Sequence, residues 1–520
     1  MKRWGPTALC GLLVLVVLAE VLQSPGSRVA GTRYVDGFGT QWWYWYLGEV
    51  IAGRQSLMHT DLLFFPGGKD VFTHTGGNML DALFAWPMRA VLGPVLGYNV
   101  WVAVVVASNF AAGSLLGRVA TGSAGWSAGL VLAANPYVLR EIEEGRPTQA
   151  WLALPALALA GVWGARTVLG AVGTGLAMAA TGWLYWYYGL LFGVLGAVLG
   201  CIRLASGRDV VTMRVLGIAG LVTVLGVWPA ASTVMGAIDA GRVPGLFALD
   251  GTGPLAPLAL RTMEGDPAGM QVLSIRGVLG GLVDEGGLRF VPGKPALGLA
   301  GVGAAIAGAL VLARSGPRAA LVAAVFTVLV ALAVAVGPVL VWPGGFAVNV
   351  PYLLALENFD VLRRWWWPGR AVAAVVVALC LVVPAVARYR LGSAAILLAA
   401  AVETWRVGFV PLSTWNASPP GPLVCLASAP AGAVVDLPFL SDQHNLYLQT
   451  IHGKPILGGM LVKKPAFGSA SALALRQSNS FLDLLLDYGD MEFLRDPAYD
   501  QADRQRLVDV GFRYVVADLS

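Results

Sequence analysis

YVDGFGTQWWYWYLGE, residues 34–49, follows directly on the first apolar segment of this 520-residue chain. A few residues on, it is followed by HTDLLFFPGGKDVFTHTGGNMLDALFAWP, residues 59–87. The stretch from Tyr34 to Gly93 is a long polar insertion between apolar runs. Gly39 to Ala52 reads as an amphipathic helix at a membrane surface. Trp42, Trp43, Tyr44, Trp45 and Tyr46 are ring types that settle at headgroup depth.

The composition supplies the membrane. The chain is 57% hydrophobic and 12% charged, where a soluble domain carries about 25% charged residues. Many apolar runs reach about 18 residues, so the expected fold is an α-helical polytopic membrane protein. The runs do not alternate, which excludes a transmembrane barrel. Lys2 and Arg3 precede an apolar run to Leu22, and Arg28 stands where a cleavage site ending at Ala30 needs a small residue. The first segment therefore reads as a retained signal anchor. Cys10, Cys201 and Cys380 fall in apolar segments and Cys425 outside them, which suggests neither a disulfide nor a metal site. The formal charge of +5 is spread over short loops and does not point to nucleic acid.

About eleven transmembrane helices are expected, at roughly 5–24, 95–117, 122–140, 149–165, 167–183, 187–204, 213–235, 295–313, 319–341, 370–387 and 392–412. Alternate short loops hold Arg118, Arg166, Arg203, Arg208, Arg214, Arg314, Arg318, Arg388 and Arg390, with Asp209 the only acid among them. The opposite loops hold nearly all the acids. This segregation places the N-terminus in the cytoplasm and the C-terminus outside. Two regions result. Residues 1–412 are transmembrane, with 34–93 a first outer loop carrying interfacial helices. Residues 413–520 form a small extracytoplasmic α/β domain, with strands at Ala433–Leu437 and Tyr514–Val516 and helices at Leu473–Tyr488 and Gln501–Val510.

The residues fit for chemistry gather on the outer side. Asp36 lies just outside the first span, where a carboxylate can act as general base or cap a helix. Glu141, Glu143 and Glu144, beside Arg140 and Arg146, offer further acids or the ligands of a divalent cation. His59, Asp61, His74 and Asp81 make another polar group, at a spacing too loose for a metal signature. Arg363, Arg364 and Arg370 flank Trp365, Trp366 and Trp367; their forks suit a lipid phosphate, and the rings suit the interface equally well. Tyr185, Tyr187 and Tyr188 line a cavity or form a belt. In the tail, His444, His452 and Lys454 lie in polar turns. Ionisable residues are nearly absent from the spans, Glu20, Glu403 and Arg406 apart. That favours an enzyme at the interface over a transporter with a midplane site.

This layout resembles the C-type (GT-C) superfamily of integral membrane glycosyltransferases, in an uncharacterised bacterial branch. Asp36 in YVDGFG matches the acid that opens the family's first outer loop. Asn135, Pro136, Tyr137, Glu144, Gly145 and Gln149 resemble its second loop. Tyr187, Tyr188 and Gly189 resemble a recurring YYG turn, and Arg363 to Arg370 an element before a late span. Leu437–Phe439 and the stretch from Tyr447 are similar to the tail of such proteins. Asp36 is followed by Gly37, not by the second acid of the oligosaccharyl- and protein-mannosyl-transferase branches.

The resemblance implies transfer of a sugar from a polyprenyl-phosphate carrier to an acceptor hydroxyl, outside a bacterial inner membrane. Asp36 would be the catalytic base, with Glu144, or Glu143 in its place, assisting. Arg364, Arg370, Tyr188 and His452 would bind substrate and phosphate. The cofactor is left open, Mg or Mn being the divalent candidates. A flippase for lipid-linked saccharide would need a polar path through the spans. A non-catalytic envelope scaffold would leave Asp36 and Arg370 on unconnected surfaces.

Overall fold

The computed structural model describes residues 5–33, 35–72, 79–122, 125–207, 210–239, 298–316, 318–335, 337, 339–342, 345–358, 368–407, 410–437, 442–459, 470–482, 485 and 501–517. Helices carry most of them. Without water, each backbone N–H and C=O must be paired inside its own segment, and a helix does this. Among the described residues five helices are long and apolar enough to cross a membrane: Pro94–Thr121, Trp186–Ser206, Val210–Gly236, Arg318–Ala335 and Gly369–Arg388. Three shorter apolar helices, Gly5–Val17, Val168–Leu184 and Ala300–Arg314, accompany them. The protein is thus a helical, multi-pass membrane protein.

The third expected span, roughly 122–140, is not one helix. A nine-residue helix, Trp126–Ala134, stops at Asn135, and a second, Pro136–Glu143, begins. Nine residues rise about 14 Å, well short of a hydrocarbon core of about 30 Å. Asn135 explains the break. Its side-chain oxygen accepts from the Tyr137 N–H at 2.9 Å and caps the new helix. Pro136, at the first helical position, lacks the N–H a continuous helix would use.

Gly369–Arg388 is the most buried of the five long helices. It packs on Arg318–Ala335, Pro94–Thr121 and Trp126–Ala134. Small residues allow the close approach. A Cβ on Gly117 would fall 2.7 Å from the Ala128 Cβ and from the Pro384 Cγ.

Outside this bundle, the first loop and the tail are interleaved. Strand Arg28–Ala30 pairs antiparallel with Thr414–Asn416, Ala30 opposite Thr414. Asn99 of the Pro94–Thr121 helix pins the strand, accepting from Ala30 N at 3.0 Å and donating to Arg28 O at 2.7 Å. In the tail, Ala433–Leu437 runs parallel to Phe512–Ala517, with a bulge at Ala433/Val434. Residues 455–457 border the first of these strands through Val434. The first loop then adds backbone to their far side. Ile456 N donates to Leu62 O at 2.9 Å, and Phe64 N donates to Gly458 O at 2.8 Å. The expected helix Gln501–Val510 is present. Of the one expected at Leu473–Tyr488, Ala470–Ser478 is a helix that stops at Asn479; residues 480–482 are helical again, the Asn479 side chain accepting from Leu482 N at 2.9 Å, and 483, 484 and 486–488 lie outside the described residues.

Helix Val35–Ile51 corrects the expected aromatic belt. Trp42, Trp43, Tyr44 and Tyr46 are buried inside the protein. Helix Met79–Leu92 and the tail helix Asp442–His452 both pack on this helix and cover its rings. The polar ends find partners: Trp42 Nε1 donates to Gln449 Oε1 at 2.6 Å, and the Tyr46 hydroxyl to Ser56 O at 2.5 Å. Each ring of this size takes about 150 Å² or more out of water, on the order of 4 kcal/mol at about 25 cal/mol per Å². The rings stabilise the join between loop and tail.

Candidate active site

The second of the expected outer loops is not a solvated loop end. Every residue from Pro136 to Ala150 is buried. Its turn docks against the start of helix Val35–Ile51 through two glycines. Gly145 has φ +77°, a conformation that disfavours a side chain. A Cβ there would also fall 2.6 Å from the Gly37 nitrogen. Hydrogen bonds close the seam on either side. The Thr40 hydroxyl donates to Gly145 O at 2.7 Å, and Thr32 N donates to Glu143 O at 2.7 Å.

This seam brings Asp36, in the first turn of its helix, onto Arg146. Arg146 Nη1 meets Asp36 Oδ2 at 2.6 Å, and Nε meets Glu141 Oε2 at 2.5 Å. Its Nη2 pairs with Glu144 Oε2, and Arg140 Nε holds the other oxygen of Glu144 at 2.8 Å. A planar guanidinium serves several carboxylates at once, which a point charge does not. Burial works to raise the Glu141 pKa, but Arg146, Arg370 and Arg140 outweigh it and hold the carboxyl below its ordinary value. Asp36 is the open member of the group. Its side chain is 37% exposed, against 6% for Glu141 and 12% for Glu144. Asp36 Oδ1 makes no hydrogen bond among the described residues.

Asp81 holds the opposite flank of the second loop. Its Oδ2 accepts from the Thr148 hydroxyl at 2.6 Å and from the Tyr44 hydroxyl at 2.7 Å. Burial pushes its pKa up to about 7, against the pull of those hydroxyls. Deeper in, the Tyr188 hydroxyl lies 2.7 Å from that of Tyr137 and donates to Gln149 O at 2.8 Å. Arg370 donates to the Tyr185 hydroxyl and lies over its ring, 5.5 Å from the centroid. The Tyr185 ring meets that of Tyr188 edge-on, centroids 5.0 Å apart, so Arg370 adjoins the second loop through these two tyrosines.

The structure therefore gathers Asp36, Glu144, Tyr188 and Arg370 around the second loop and separates other candidates from them. Glu143 turns the other way, its carboxylate accepting from Ser413 N at 3.0 Å, and burial raises its pKa. His452 is not in a polar turn. It ends helix Asp442–His452, is buried, and accepts at Nδ1 from Lys454 N at 3.1 Å. Burial and the Lys454 charge lower its pKa to about 4, so it is neutral and adds no charge to a phosphate site. Arg364, with Arg363 and Trp365 to Trp367, lies outside the described residues. The His59 group divides: His59 Nδ1 lies 2.9 Å from Asp70 on an exposed hairpin, Asp81 is buried elsewhere, and His74 lies outside the described residues. The part of Arg146 as the centre of the cluster was not visible in sequence. Its only local signals are the glycine and the acids beside it.

A divalent cation is not accommodated as these groups stand. The described residues hold no set of three or more His, Cys, Asp or Glu side chains able to bind a metal. Where Asp36, Glu141 and Glu144 converge, Arg146 supplies the positive charge and takes an oxygen from each.

The bundle, the first loop and the docked tail together make a fold shared with solved archaeal oligosaccharyltransferases. Solved structures show the likeness over nearly the whole chain. The archaeal oligosaccharyltransferase AglB from Archaeoglobus fulgidus, in complex with an inhibitory peptide and a dolichol-phosphate, superposes with TM-score 0.50 at 12% identity, covering 99% of this chain and 70% of that one. The Archaeoglobus fulgidus oligosaccharyltransferase in complex with Zn and sulfate gives TM-score 0.50 at 13% identity, covering 99% and 68%. No protein-family model and no curated protein matches the sequence.

Proposed function

We propose that the protein is a membrane glycosyltransferase that moves a sugar from a polyprenyl-phosphate carrier to an acceptor hydroxyl on the outer side of the membrane. The observation that carries this reading is Asp36: a half-open carboxylate, aimed by a buried guanidinium, in a fold shared with oligosaccharyltransferases. A fixed carboxylate with one unengaged oxygen is suited to general-base work, which contributes about 10²–10⁴-fold.

In the proposed reaction Asp36 Oδ1 takes the proton of the acceptor hydroxyl. The acceptor oxygen forms its bond to the anomeric carbon, and the bond from that carbon to the phosphate oxygen breaks. The polyprenyl phosphate leaves with the bonding pair. Arg370, and Arg364 with it, would neutralise the phosphate. Glu144 and Glu141 hold Arg146, and through it the angle of Asp36. The contact of Arg370 with the second loop through Tyr185 and Tyr188 supports this reading over a scaffold with the two groups on separate surfaces.

The test uses purified protein in nanodiscs with a panel of polyprenyl-phosphate sugars and acceptor extracts, following release of free lipid phosphate. Release that depends on Asp36 is expected, with Asp36→Asn at least 100-fold slower. A folded Asp36→Asn protein that transfers at the wild-type rate would sink the assignment.

A further inference from the structure

A second site lies beside the Asp36 cluster. A cavity of about 440 Å³ opens between helices Val35–Ile51, Met79–Leu92 and Asp442–His452. Its size is within the about 300–1,000 Å³ of small-molecule sites. Tyr44, Trp45, Trp86 and Tyr447 give it aromatic walls, and Gln41 and Arg89 give it polar ones.

The polar wall is one-sided in charge. Arg89 Nη1 donates to Gln41 Oε1 at 2.6 Å and to Pro94 O at 3.1 Å, both neutral acceptors. Among the described residues no carboxylate pairs with Arg89, and its Nε and Nη2 make no hydrogen bond. Glu49, also in the wall, is already held by Arg54 through bonds of 2.5 and 2.8 Å. One positive charge is left over. Gln41 is 4% exposed, and among the described residues its Nε2 has no partner. Arg89 thus lines the cavity with two nitrogens free of acceptors, and Gln41 Oε1 holds the guanidinium in place.

We propose that this cavity binds a phosphate group, with Arg89 as its donor, oriented by Gln41, and the aromatic walls packing on whatever carries it. Forked N–H donors match phosphate oxygens. The neighbouring outer face of helix Met79–Leu92 exposes Leu83, Phe84, Val91 and Leu92, so the cavity adjoins a lipid-facing surface. A lipid headgroup and a free phosphate share this chemistry. The site is independent of the transfer reaction proposed for Asp36.

The experiment titrates the full chain, in nanodiscs of zwitterionic lipid, with inorganic phosphate in one arm and dihexanoyl phosphatidic acid in the other. Calorimetry reads binding, with chloride matched throughout. Saturable binding is expected in at least one arm: in the lipid arm alone for a headgroup site, in both for a free-phosphate site. Arg89→Gln weakens it at least 10-fold. Ala90→Phe, at an exposed wall position, blocks the cavity without removing a buried charge, and decides the matter if Arg89→Gln does not fold. No saturable binding in either arm, or binding untouched by both variants, overturns the assignment.

Discussion

Replacing Arg146 with glutamine tests whether the second loop is held by charge. The substitution leaves Glu141 and Glu144, 6% and 12% exposed, each short of a partner. Breaking a buried ion pair from one side costs about 3–5 kcal/mol. Glu144 keeps Arg140, and Glu141 keeps the longer-range fields of Arg370 and Arg140, so the lower end applies, about 3 kcal/mol. Asp36 is over a third exposed and adds no more than about 1 kcal/mol. Adding Glu141→Gln to Arg146→Gln removes the orphaned charge and should restore about 1–3 kcal/mol of the loss, without restoring transfer.

The pH response fixes the sign. In the wild type the Glu141 pKa is depressed below its ordinary 4.5, so its contribution to stability is present above that value and is lost as pH falls through the folded one. In Arg146→Gln burial prevails and the same pKa rises. Acidification from about pH 7 to pH 5 should therefore stabilise the variant relative to wild type. The assay is thermal unfolding in nanodiscs across that range, on the wild type, both single variants and the double. Arg146→Gln with unchanged stability, or single-variant effects that simply add, would refute a charge-held loop.

Three further outcomes are expected. Gly145→Ala should cost at least about 2 kcal/mol, since αL strain of about 1–2 kcal/mol joins a clash with Gly37. The control is Gly453→Ala, at φ +68° with open space around it, and equal unfolding temperatures for the two would contradict the packing argument. Asp81, with its folded pKa raised to about 7, contributes stability that is complete below its unfolded value and is lost as pH rises through 7. Wild-type unfolding temperature should thus fall between about pH 6 and pH 8 where Asp81→Asn stays flat, and parallel curves would remove Asp81 as the cause. Finally, a chelator should leave lipid-phosphate release unchanged, because Arg146 stands where a cation would; activity lost to EDTA and regained with Mn would show that Arg146 yields its place.

The helical layout was legible because apolar runs of membrane length have few other outcomes. What hid was the break at Asn135–Pro136, where one side-chain cap divides an apolar run that hydropathy averages over. Asp36 and Glu144 stood out as acids beside glycines, at loop positions expected on one side of the membrane. Their partner did not. Arg140, Glu141, Glu143, Glu144 and Arg146 nearly cancel in charge over seven positions, and a balanced run reads as a solvated turn. Only burial shows that the balance is the point, since charges taken from water must be matched group by group. The aromatic run failed for a related reason. Tryptophan and tyrosine suit a headgroup layer and a polar-edged core equally, and here Gln449, over 400 positions away, decides by accepting from Trp42. Such choices rest on contacts between distant loops. In this chain the two glycines that let those loops touch, Gly37 and Gly145, are the local trace of that contact. Each sits beside an acid of the cluster, so an acid–glycine step in two loops on one side of a membrane is itself a reason to look for a shared cation between them.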